Sequence, residues 1–169
     1  MGDGDPIVDI PCLEYNRRVH SNYRVFEKEK CMARIILAVI VGFFAWSVMW
    51  IGSDQVLMML SPGWYGAHQL GFAQAMEVGS AFTADATILA MHLVRAIIIS
   101  LLSGYLAAVI AGENRKAPLW LGVALLLFGL AVEIAAWNYA PAWYHLIFLA
   151  LLVPVTVLGG RLKSYTAQL

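Results

Sequence analysis

Four ionisable residues stand deep in otherwise apolar sequence and need an account: Asp54, His92, Arg95 and Glu133. An ionisable group inside a bilayer is costly, so each is expected to have a partner or a task. At 1.5 Å rise per residue, Asp54 lies about 9 Å and Glu133 about 6 Å from the nearer ends of their apolar segments, with Arg95 about 10 Å below the same surface once its long helix is tilted. This shared depth predicts a single polar cluster. Arg95, with five donors in a planar fork, would bridge Asp54 and Glu133 across three helices, and His92, one turn away on the same face, would cap it. A static clamp and a proton or ion relay both use such a cluster. The relay needs polar groups through to the other face, where only hydroxyls such as Ser100, Ser103, Tyr105 and Thr156 are available.

Histidine offers a second chemistry. His92 and His145 are candidate ligands for a tetrapyrrole, haem iron or chlorophyll magnesium. Their heights differ by about 8 Å, which shared ligation must absorb through tilt. His145, in Ala142-Trp143-Tyr144-His145, also reads as a hydrogen-bonded histidine beside a tight turn. No cofactor or metal is predicted from motifs. HExxH, GxSxG, CxxC and phosphate-cradling glycine loops are absent from the sequence, so the chain is expected not to be an enzyme. Cys12 and Cys31 both precede the first apolar segment and are expected as reduced thiols.

Apolar segments must position these groups. Of the 169 residues, 61% are hydrophobic and 13% charged, against soluble averages of about 45–50% and 25%. This composition predicts an all-α integral membrane protein. Four runs exceed the roughly 20 residues a bilayer needs: 35–60, 84–111, 119–137 and 143–160. Thr83 is the expected N-cap of the second, with Asp85 in its first turn. Pro118 suits a first turn, and Pro141 marks the last tight turn. A short interfacial helix is expected over 67–78.

All lysines and arginines except Arg95 fall on one side of this four-helix bundle, before the first span, between the second and third, or after the fourth. The positive-inside rule then places both termini in the cytoplasm, with the bacterial inner membrane as the expected location. On the opposite side Trp64, Tyr65, Trp137, Tyr139, Trp143 and Tyr144 read as an interfacial aromatic belt.

The chain divides into an arm over 1–33, a transmembrane domain over 34–163 and a tail over 164–169. Within the arm, Gly2–Pro11 is acidic and extended. Residues 13–33 have the spacing of an amphipathic juxtamembrane helix, with Arg17, Arg18, Tyr23, Arg24, Phe26, Lys28 and Lys30 expected to dock on anionic lipid or on a partner protein. Small residues at four-residue spacing predict close helix seams: Ala38 and Gly42, then Ser100, Gly104 and Ala108, then Gly122 and Gly129. Basic residues confined to a membrane surface argue against nucleic acid.

At 35–43, at 103–112 and above all from Trp143-Tyr144-His145-Leu146 through Pro154 to Leu158-Gly159-Gly160-Arg161-Leu162, the chain resembles small four-span bacterial membrane proteins of unassigned function. The resemblance implies the bundle and no catalytic residues. The long arm departs from that group and suggests recruitment. The leading expectation is therefore a non-enzymatic accessory or assembly subunit of a larger inner-membrane complex, respiratory or photosynthetic, contacting other membrane subunits through its arm and seams. A small transporter or proton relay through Asp54, Arg95 and Glu133 is the alternative.

Overall fold

The computed structural model describes residues 23–163, with side chains from residue 30. Arg17, Arg18 and Cys12 lie outside the described residues, as do the side chains of Tyr23, Arg24, Phe26 and Lys28. All regular structure among the described residues is helical. The order is α1 (Tyr23–Leu60), a π-helical turn (Pro62–Gly66), α2 (Ala67–Val78), α3 (Ala86–Ala111), α4 (Lys116–Ala135), a 3-10 turn (Trp137–Tyr139) and α5 (Ala142–Arg161). Four of these helices, α1 from Lys30 onward and α3 to α5, are long and apolar enough to cross a membrane.

The four expected spans are present: the ends at 60 and 111 coincide, the first apolar helix starts five residues earlier, at Lys30, and the remaining ends shift by one to three residues. Asp85, not Thr83, is the N-cap of α3, its side chain accepting from the Thr87 amide. The amphipathic segment is not a separate helix from Tyr23 onward. It runs unbroken into the first span, because no proline or turn signal interrupts 23–60. Glu113 starts α4 by accepting from the amides of Arg115, Lys116 and Ala117, which are among the donors a helix start leaves without partners. Gly112 ends α3 at φ +69°, a left-handed position that glycine adopts without strain.

Helices α3 and α4 each pack against both α1 and α5, and touch one another. Small residues set the spacing. A methyl group added at Gly104 of α3 would strike the Thr156 carbonyl of α5, and one at Gly159 would strike the Leu101 carbonyl of α3. Gly122 and Gly129 of α4 let α5 approach through Val153 and Leu152, and Gly42 of α1 receives Leu121. Ala38, Ala107 and Ala108 are fully buried between helices. The predicted seams thus join the chain's own helices. Ser100, expected as a small packing residue and as one of the hydroxyls of the inner half, accepts a buried hydrogen bond from Trp46 Nε1 at 3.1 Å.

Packing is tightest where α3 meets α5 at Gly104 and Gly159, toward the end of the bundle carrying the α3–α4 turn. Toward the other end, side chains of α2 and of the segment that follows it, His68, Gln69, Phe72 and Phe82, line a hollow together with the spanning helices.

Candidate functional site

Arg95 is buried on α3 and gathers one polar cluster around itself. Its guanidinium donates to Asp54 Oδ1 of α1 at 3.0 Å, to the Tyr65 hydroxyl at 2.6 Å and to the Trp50 carbonyl at 3.4 Å. It also lies 4.4 Å over the Trp50 ring. Tyr65, wholly buried in the π-helical turn, donates to Asp54. Burial, followed by its bond to Asp54, raises the Tyr65 phenol above its ordinary pKa of 10.0, so it keeps that proton. Gln69 of α2 donates to the Tyr65 hydroxyl at 2.9 Å and lies 3.1 Å from His92 Nε2. Two helices and a turn are thereby tied at one guanidinium, with α2 joined to them through Gln69, and the Asp54–Arg95 charges cancel.

Glu133 does not join this cluster, contrary to the sequence expectation. It pairs instead with His145 Nδ1 of α5. The reason is helix phase: Glu133 continues the stripe of Leu125 and Gly129 at four-residue spacing, and that stripe packs on Leu152 and Phe148 of α5. His145 is fully buried, stacked 4.7 Å from the Trp137 ring, with Nε2 3.1 Å from the Ala140 carbonyl. That contact fixes the protons. A carbonyl only accepts, so Nε2 is protonated, and Nδ1 and Glu133 then share one further proton, as carboxylic acid with imidazole or as carboxylate with imidazolium. In either form the pair is neutral. Glu133 is 6% exposed, and its other oxygen has no hydrogen-bond partner among the described residues.

Between the two groups lies a cavity of about 500 Å³. Its walls are chiefly aromatic: Trp46 and Trp50 of α1, Phe72 of α2, Phe82, Phe128 of α4, Tyr139, and Tyr144 with Phe148 of α5. Asp54, Gln69, His92, Glu133 and His145 supply polar points on the wall. Trp46 and Trp50 stack on one another at 5.2 Å with their planes 5° apart. A hollow of this size, apolar with a few convergent polar groups, is the ordinary form of a small-molecule site.

The loop 61–85 closes over one side. Trp64 Nε1 donates to Asp85 Oδ2 at 3.1 Å, and the Asp85 amide donates to His68 Nε2 at 3.1 Å. The Trp64 bond, with the Thr87 amide, holds the Asp85 carboxyl below its usual range. Burial lowers His68 below its ordinary 6.5, so the fold holds it neutral with Nε2 as acceptor. The unfolded chain then binds this proton more readily than the fold does. The contribution is complete above the unfolded value of 6.5 and is lost as pH falls below it. Acidifying from pH 7.5 to 5.5 should slow amide exchange at Asp85 by less than the fall in the intrinsic rate, and His68→Phe should remove that difference.

Of the aromatic belt expected from sequence, Trp64, Trp137 and Trp143 are well exposed, whereas Tyr65 and Tyr144 are buried and belong to the site. His92 lies in the first cluster and His145 in the second pair. Both nitrogens of His145 are engaged, so its donors do not fit an axial ligand of iron or magnesium. Tyr65, Gln69 and Trp50 were not expected in the site, although Tyr65 and Gln69 are one helical turn apart in a stretch predicted to be helical from residue 67. Comparison with protein-family models, curated proteins and solved structures gives no significant match. Functional conclusions therefore rest on the residues of this chain.

Proposed function

We propose that this chain is a bacterial inner-membrane protein, with both termini cytoplasmic, that binds a small organic molecule in the outer half of its bundle. The observation that carries this reading is the aromatic cavity of about 500 Å³ set between Asp54 and Glu133. The distribution of lysine and arginine supports the orientation. Binding is favoured over conduction because α3 and α5 meet backbone to backbone at Gly104 and Gly159, which leaves no room for a pore between those two helices.

The test is native mass spectrometry of the chain released from its own membranes. The expected spectrum shows a single small organic adduct, present at one per chain and absent from Ala136→Phe, which places a ring inside the cavity wall. Phospholipid adducts alone, equal in both proteins, would overturn the reading.

Service as a subunit of a larger complex is compatible with this role. It is supported by α1, whose spanning part is the least covered of the four and presents Ile36, Ile40, Phe44, Val48 and Ile51 outward. Copurification of stoichiometric partner chains in mild detergent would establish it, and a solitary chain would remove it.

A further inference from the structure

We infer that the molecule bound in this cavity is a hydrophobic organic cation, an aromatic quaternary ammonium being the simplest case, and that its entry expels one proton from the Glu133–His145 pair. The inference rests on the cavity's being a binding site and specifies what that site selects.

Three observations carry it. First, the wall contains two carboxyl groups, Asp54 and Glu133, and no lysine or arginine: Arg95 reaches Asp54 from outside the lining. Second, aromatic side chains dominate the remainder, and rings such as Tyr139, Tyr144, Phe72 and Phe128, unlike Trp50 which already carries Arg95, attract cations through their quadrupoles. Third, Glu133 is more than nine-tenths buried, lines the cavity and has an oxygen without a hydrogen-bond partner among the described residues. A cation beside that oxygen finds a counter-charge as soon as the pair gives up its proton.

The charges balance. Asp54 is cancelled by Arg95, and the Glu133–His145 pair is neutral while it holds its shared proton in addition to the one on Nε2. Of the other titratable groups around the pair, Tyr144 of α5, Tyr139 of the 3-10 turn and Tyr65 are neutral phenols, His68 of α2 is neutral, and His92 of α3 is held by Gln69 and the Tyr65 hydroxyl. When the cation enters, the proton remaining on the pair settles on Nδ1, keeping the bond to the Glu133 carboxylate. The Nε2 proton leaves to water, and the bond to the Ala140 carbonyl is given up. One positive charge enters and one leaves, so the buried site stays neutral, as a low-dielectric environment demands. No covalent bond to carbon or nitrogen of the ligand changes.

The experiment compares benzyltrimethylammonium with neopentylbenzene, its neutral isostere, by calorimetry on the full chain in lipid nanodiscs. Saturable one-to-one binding of the cation is expected, at least tenfold tighter than that of the isostere. Its affinity should rise about tenfold per pH unit wherever the pair is protonated in the free protein, the slope one exchanged proton imposes. Buffers of different ionisation enthalpy should show one proton released per cation bound. Glu133→Gln should remove both the slope and the released proton. Should that variant not fold, the isostere comparison and the proton count on the unaltered chain still decide. Equal binding of cation and isostere, or cation binding without proton release, would overturn this inference while leaving the cavity as a binding site. Failure of both probes to bind, with no adduct in the native mass spectrum, would overturn the binding-site reading as well.

Discussion

Gly159→Ala is expected to destabilise the bundle by about 3 kcal/mol, the upper end of overpacking costs. The added methyl would meet Leu101 backbone atoms, its carbonyl carbon and Cα at 2.8 Å and its carbonyl oxygen closer still. Backbone in mid-helix cannot rotate away as a side chain can, so α3 and α5 must separate. The same reasoning applies to Gly104→Ala against Thr156. Gly52→Ala provides the contrast. It too lies inside a helix, but a methyl there meets nothing within 4 Å, and the change should be neutral or stabilising by about 0.5–1 kcal/mol through helix propensity alone. Reversible unfolding in mixed micelles, read by circular dichroism, measures all three. Equal effects of Gly159→Ala and Gly52→Ala would mean that α3 and α5 do not meet as closely as described.

The second large effect belongs to Arg95. Arg95→Met removes the cation and leaves the Asp54 carboxylate without a counter-charge in a largely buried site, which costs about 3–5 kcal/mol for a broken buried pair. Asp54 retains 24% side-chain exposure, so the lower end, about 3 kcal/mol, is expected. Combining it with Asp54→Asn should restore part of the loss, because the orphaned charge is removed with its partner. A coupling of about 1–3 kcal/mol between the two sites is the signature of direct contact. Glu133→Gln should show no such coupling with Arg95→Met, since Glu133 belongs to the other pair. Additivity of Arg95→Met with Asp54→Asn would contradict the clamp.

Much of the architecture was legible from composition and spacing. Four apolar runs of sufficient length gave four helices, the 67–78 segment gave α2, and small residues at four-residue intervals marked the seams. Helix termini shifted where a side chain outcompeted its neighbour, as Asp85 does over Thr83 by capping the Thr87 amide. The site was legible in its members and not in its pairing. Asp54 and Arg95 share a depth and do meet. Glu133 shares the same depth, yet it points to α5, because depth along a helix follows from residue counting whereas rotation about the axis follows from packing. Gly129, one turn before Glu133, lets Leu152 and Phe148 approach and so lies on the face that α4 turns toward α5. Tyr65 was read as interfacial because an aromatic near a span end usually is. Its burial depends on the π-helical turn at Pro62–Gly66, which folds the hydroxyl back onto Asp54. The cavity itself has no linear signature, since its walls come from all five helices and two turns.

The most direct test of the cavity as a binding site is fluorescence quenching by a brominated aromatic probe, para-bromobenzyltrimethylammonium, in nanodiscs. Trp46 and Trp50 line the cavity, with Trp46 only 4% exposed, whereas Trp64, Trp120, Trp137 and Trp143 face outward. Occupation of the cavity is expected to appear as a saturable, one-to-one quenching component that is missing in Ala136→Phe, above the linear quenching of the outer tryptophans. Quenching that is linear at all concentrations and identical in the two proteins would contradict it.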